Sequence, residues 1–165
     1  MKSVEELLAE VPAFAGMAPA QLELIAGCAV NARAADGEHL IREGDPANVF
    51  YVIRHGSVAL ELHVPARDAV TIDTLHDGDL VGWSWLFEPY RWEFDGRARG
   101  DVALIRFDGA CLRGKCDTDH ELGYELMRRF AQVIIARLQS TRLRLLDVYG
   151  PSGQRGQMTE AGQRP

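Results

Sequence analysis

Between residues 31 and 108 the chain carries a pattern that few folds tolerate. Short apolar or β-branched runs, at 39–42, 49–54, 57–63, 69–75, 80–81, 94–98 and 102–107, are broken by glycine and aspartate. The breaks include Glu43-Gly44-Asp45, His55-Gly56, the stretch 65–68 and Asp77-Gly78-Asp79. Many short strands at close spacing predict an antiparallel sandwich or roll, because each strand pairs most easily with a near neighbour. Within one run, Val58, Leu60 and Leu62 alternate with Ala59, Glu61 and His63, the period of a half-buried strand.

The flanks are helical. Val4, Leu7 and Leu8 fall at helical spacing behind Ser3, a predicted N-cap. A second short helix fits 19–26, with Pro19 in its first turn and Gly27 as its stop. From about 119 to 149 the chain has no proline, one glycine (Gly123), and many strong helix formers. Gly150-Pro151 ends it. The expected fold is α+β and mainly β: a jelly-roll-like antiparallel β-roll over about 36–107, with short N-terminal helices and one long C-terminal helix. One domain over 1–150 is expected, followed by a disordered tail over 151–165, where Gly, Gln and Arg dominate.

The long helix carries a second pattern. Met127, Ala131, Ile134, Leu138, Thr141, Leu145 and Val148 step alternately by four and three, a heptad seam. It predicts a parallel homodimer; packing of the helix wholly on its own domain is the alternative.

Bulk composition narrows the function. With 47% apolar and 25% charged residues the chain is globular in kind. Its net charge of -6 argues against a nucleic-acid platform. The three cysteines, Cys28, Cys111 and Cys116, are odd in number and widely spaced; they are read as reduced, partly buried thiols of a cytoplasmic protein. No apolar run is long enough to span a membrane. His39, His55, His63, His76 and His120 show no metal-binding spacing, and Ser84 has no nucleophile-elbow setting. No enzyme is expected.

Several segments together resemble the cyclic-nucleotide-binding domain of the Crp/Fnr regulator family. They are Gly37-Glu38, Ile41-Arg42-Glu43-Gly44-Asp45, the run 50–58 from Phe50 to Val58, and Gly78-Asp79-Leu80-Val81-Gly82. Leu146-Asp147-Val148-Tyr149-Gly150 is similar to the end of that family's dimerisation helix. The resemblance covers about 14–150 and implies a sensor module. It also implies a phosphate-binding cassette: Gly-Glu, a short helix, then an Arg about ten residues on. The helix N-terminus and the Arg hold the phosphate, and the Glu holds the ribose.

Here the cassette departs from that pattern. Trp83 follows Gly82 where Glu is implied, and the position of the phosphate Arg falls on Trp92, beside Arg91. Losing a charge-assisted bond to the ribose costs roughly 1.5–3 kcal/mol. Together the two changes would weaken binding by on the order of 10²–10⁴. Trp83, Trp85, Phe87, Tyr90, Trp92 and Phe94 crowd the segment. Two readings stay open: indoles that fill the pocket, or an altered pocket in which they stack a planar ligand. In the second, Ser84, Arg91 or Arg97 takes the anion. No cofactor is certain; a cyclic nucleotide or another planar anion is the ligand class left open. On the long helix, Ala136 and Arg137 fall where the resembled family meets the base.

Residues 151–165 offer no recognition helix, so direct DNA binding is not expected. The expected function is a non-enzymatic regulatory domain. It binds a non-standard ligand or signals through a partner protein. A ligand-free dimerising scaffold and a weak cyclic AMP or cyclic GMP binder are the alternatives.

Overall fold

A capping box starts the chain. The Ser3 hydroxyl accepts from the Glu6 N–H at 3.2 Å, and the Glu6 carboxylate accepts from the Ser3 N–H at 2.8 Å. Two donors at the start of α1, Val4–Glu10, are thereby satisfied. In this computed structural model, which describes residues 1–150, a 3-10 turn at Pro12–Phe14 leads to α2, Pro19–Ala26. Pro19 opens α2 as its position predicted.

Six strands follow: β1 Ala29–Ala34, β2 His39–Ile41, β3 Val49–Leu62, β4 Val70–Leu75, β5 Leu80–Val81 and β6 Asp95–Asp108. All pairings are antiparallel, in the order β1-β6-β3-β4, with β2 beside β6 and β5 beside β3. This is the α+β, mainly antiparallel roll that the sequence predicted.

Two details of the strands differ from the sequence reading. The runs 49–54 and 57–63 form one strand, as do 94–98 and 102–107. Their register shifts between Ile53 and Ser57, so the long β3–β6 ribbon bends at an irregularity instead of breaking. Gly56 sits there at φ +112°, where a Cβ would lie 3.0 Å from the Asp101 carbonyl. Only glycine fits both demands. The other difference is β1, whose polar Asn31 and Arg33 hid a strand that pairs along β6 from Ala29↔Phe107 to Ala34↔Val102.

After β6 comes α3, Gly109–Thr118, capped by the Asp108 carboxylate accepting from the Cys111 N–H at 2.9 Å. The sequence reading had no helix here. α4 spans His120–Tyr149, within a residue of the predicted 119–149.

The chain divides into two units, Met1–Phe130 and one that begins at Ala131. In the first, Leu122, Leu126 and Phe130 of α4 are fully buried, and Arg129 donates to the carbonyls of Ala13 and Ala15 at 3.1 and 2.7 Å. In the second, Ile135, Leu138, Leu143, Leu145, Leu146, Val148 and Tyr149 are exposed. The predicted tail, 151–165, lies outside the described residues. Among the described residues no helix is long and apolar enough to cross a membrane.

The cysteine expectation is overturned. Cys28 and Cys111 form a disulfide across a sequence separation of 83, with their Cα atoms 5.9 Å apart. An odd count says nothing about pairing when β6 returns the chain to its own start: the Asp108 N–H donates to the Cys28 carbonyl at 2.8 Å. Cys116 alone keeps a free thiol.

Candidate functional site

Gly82, at φ +90°, follows directly on β5. Trp83 follows, then a 3-10 turn at Ser84–Leu86. The segment then passes through a cis Glu88–Pro89 bond and Tyr90 at φ +54° before reaching β6. Three backbone bonds pin its second half to the turn at 44–47. The Ala47 N–H donates to the Tyr90 carbonyl at 2.7 Å, the Gly44 N–H to the Trp92 carbonyl at 2.8 Å, and the Trp92 N–H to the Asp45 carbonyl at 3.0 Å.

Gly82 and Trp92 meet. Trp92 is 3% exposed, and a Cβ at Gly82 would lie 2.3 Å from its Cζ3 and 2.5 Å from its Cη2. The indole at the position implied for the phosphate Arg therefore packs directly against the first residue of the cassette.

Trp85 goes inward. It is fully buried and stacks on Phe50 at 4.5 Å and 6°, while Phe50 stacks on Phe107 at 4.4 Å. Phe130 of α4 stands edge-on to Trp85 and Phe50 at 5.3 and 5.7 Å. These geometries suit the aromatic quadrupoles. The Trp85 Nε1–H is buried without a hydrogen-bond partner among the described residues. Trp83 and Ser84 are half-buried.

The two candidate anion-binding arginines are each engaged. Arg91 is exposed and donates to the Gly44 carbonyl at 2.8 Å. Arg97 donates through Nε and Nη2 to one oxygen of Glu61, at 3.2 and 2.9 Å, and Arg99 reaches the same oxygen at 2.9 Å. Glu61 stands opposite Asp95 in the β3–β6 register. Asp95 accepts from the Glu43 N–H at 2.7 Å and has His39 and His63 at 3.6 and 3.5 Å. Arg137 lies in the second unit, where its carbonyl accepts from the Thr141 hydroxyl at 2.9 Å.

Sequence reasoning missed Arg113 of α3. Its guanidinium donates to the Trp85 carbonyl at 2.7 Å and the Ala47 carbonyl at 3.3 Å. It also lies 4.2 Å from the centre of the Tyr90 ring, a cation–π contact. One side chain thus holds both ends of the cassette turn. Nothing in the local sequence marks it, because its helix was not expected.

The arrangement offers a bound anion little. The implied phosphate Arg is an indole, and both nearby arginines are spent on protein acceptors. A cyclic phosphate does not fit these residues as the family's pattern would hold it.

Comparisons with known proteins agree on the scaffold. The family profile described as the cyclic nucleotide-binding domain matches residues 32–119. A putative cyclic nucleotide-binding protein from Geobacter metallireducens is 28% identical, over 84% of this chain and 99% of that one, with a TM-score of 0.74. The N-terminal domain of a transcriptional regulator from Streptomyces coelicolor is 25% identical, over 89% and 99%, with a TM-score of 0.64. The Thermus thermophilus catabolite activator protein, 20% identical over 84% and 63% with a TM-score of 0.66, shares the fold. A search of curated proteins finds no match.

Proposed function

Because the chain belongs to the cyclic nucleotide-binding domain family, we propose that it is a non-enzymatic regulatory domain whose cassette is closed by its own tryptophan, and that it signals as a homodimer to a partner protein. The observation that carries this is Trp92 lying on Gly82, where a Cβ would be 2.3 Å from the ring. A ligand phosphate seated there would have to displace a side chain that is 3% exposed. The sum of that displacement and the missing charge-assisted bonds exceeds what a weak contact returns.

The exposed apolar residues Leu138, Leu145 and Val148 support the homodimer, since they lie on the seam with Met127, Ala131, Ile134 and Thr141. The net charge of -6 supports a protein partner over nucleic acid. A second reading, a non-standard planar ligand, is favoured by Trp83 and Ser84, which remain half-buried on the cassette.

Thermal unfolding with cyclic AMP, cyclic GMP and planar anions tests the closed cassette. No rise in Tm is expected at ligand concentrations near 1 mM. A rise of several degrees, which linkage gives for binding ~100-fold tighter than the concentration used, overturns it.

A further inference from the structure

We infer that Cys28 and Cys111 form a reversible thiol–disulfide switch that acts on the cassette through α3. This deepens the proposal above and rests on it only for the cassette's role.

α3 sits between the disulfide and the cassette. On one side, Cys111 is bonded to Cys28, directly before β1, and Lys115 Nζ donates to the Leu24 carbonyl of α2 at 2.7 Å. On the other side, Arg113 grips the Trp85 carbonyl and the Tyr90 ring. The start of α3 touches the cassette directly as well, for a Cβ at Gly109 would lie 3.0 Å from the Trp85 Cβ. Of the ten residues of α3, Gly109 and Leu112 are the buried ones. A helix with so little buried surface depends on its tethers for position. The disulfide is the covalent one.

The sulfurs suit exchange. Cys28 is 7% exposed, whereas Cys111 is half-buried and is the more open residue of the pair. Cys111 is also the third residue of α3, and its N–H donates to the cap, Asp108, so a change at its sulfur is felt at the start of the helix. Cys116 is set apart: burial pushes its thiol up, and the neighbouring Asp117 and Asp119 push it further. A raised thiol is a poorer nucleophile toward the pair than an ordinary cysteine.

The chemistry needs a low-molecular-weight thiol. Its thiolate attacks Cys111 Sγ, the Cys28–Cys111 bond breaks, and Cys28 leaves as a thiolate that takes a proton. A second thiol attacks the external sulfur of the mixed disulfide and releases Cys111. Two thiols become one small disulfide, and two electrons and two protons end on Cys28 and Cys111.

The test uses the full chain in buffers of reduced and oxidised glutathione. Differential alkylation with mass spectrometry reads each cysteine, and hydrogen exchange reads each segment. Cys28 and Cys111 are expected to become alkylated together in the folded protein at millimolar reduced glutathione. Exchange over 109–118 and 84–92 should then rise at least ~10-fold, with β3 and β6 unchanged. Resistance to thiol until the whole chain unfolds would make the bond a structural staple and overturn the switch. So would reduction that leaves exchange in both segments unaltered. Cys111→Ser should exchange like the reduced form and ignore glutathione; if it does not fold, wild-type reduction still decides. Cyclic AMP added to each redox state separates the two proposals. Binding by the reduced form alone sinks permanent closure of the cassette and keeps the switch.

Discussion

Arg97 reaches diagonally across the β3–β6 ribbon to Glu61, an ion pair with two N–H donors on one oxygen. Glu61 is 2% exposed, while Arg97 and Arg99 are 33% and 47% exposed by side chain. The acid is the member that cannot reach water. Arg97→Leu is therefore expected to cost about 2–3 kcal/mol, less than a fully buried pair because Arg99 remains and is itself half in solvent. The double variant Glu61→Met with Arg97→Leu should regain part of that loss. Urea unfolding of the cycle reads the coupling; a double variant worse than the sum of the two singles would contradict the assignment.

Trp85 supplies a second contrast. Its ring fills the stack between Phe50 and Phe130, so Trp85→Ala should cost about 3–5 kcal/mol. Its buried Nε1–H lacks a partner, a defect that costs about 1–3 kcal/mol. Trp85→Phe removes that donor along with some ring volume, so the net change is expected to stay within about 1.5 kcal/mol. Thermal and urea unfolding check both variants.

Gly82→Ala should be damaging for two reasons at once, a positive φ and the Trp92 ring. A loss of about 2–4 kcal/mol is expected. Pairing it with Trp92→Ala should return less than additive damage, because the clash disappears while the φ strain stays. Strict additivity in urea unfolding would mean the two residues do not meet.

The acid limb of stability has a named contributor. The Gly56 N–H, then His55, hold the Asp77 carboxyl below the ordinary aspartate range. A carboxyl so lowered stabilises the fold above its unfolded-state value, and that contribution is lost as pH falls through the folded value. Carbon NMR should show Asp77 titrating below an unperturbed aspartate. Asp77→Asn should flatten the fall in the urea midpoint at acid pH.

Much of the roll was legible from short β-branched runs between Gly and Asp turns, and the long helix from its unbroken run of helix formers. The alternation of Val58, Leu60 and Leu62 misled, because Ala59 and Glu61 between them are buried as well, at 1% and 2% exposure. α3 was not legible, since Gly109 and Gly114 within ten residues mask its propensity. The one local signal was Asp108 three residues before Cys111. β1 was hidden because it shows polar residues to solvent, and the disulfide because its partners lie 83 residues apart. At the cassette, the sequence revealed the substitutions at Trp83 and Trp92 but left open whether the indoles fill the pocket. That depended on the path of the chain through Tyr90 at φ +54°, which brings Trp92 back onto Gly82.

All three tryptophans lie in this cassette, so indole fluorescence reports on it without a label. Titration of the oxidised protein with cyclic AMP and cyclic GMP to about 1 mM tests the closed cassette most directly. A closed cassette leaves the emission unchanged in intensity and wavelength. A saturable change with a micromolar midpoint, lost in Trp92→Ala, would contradict it.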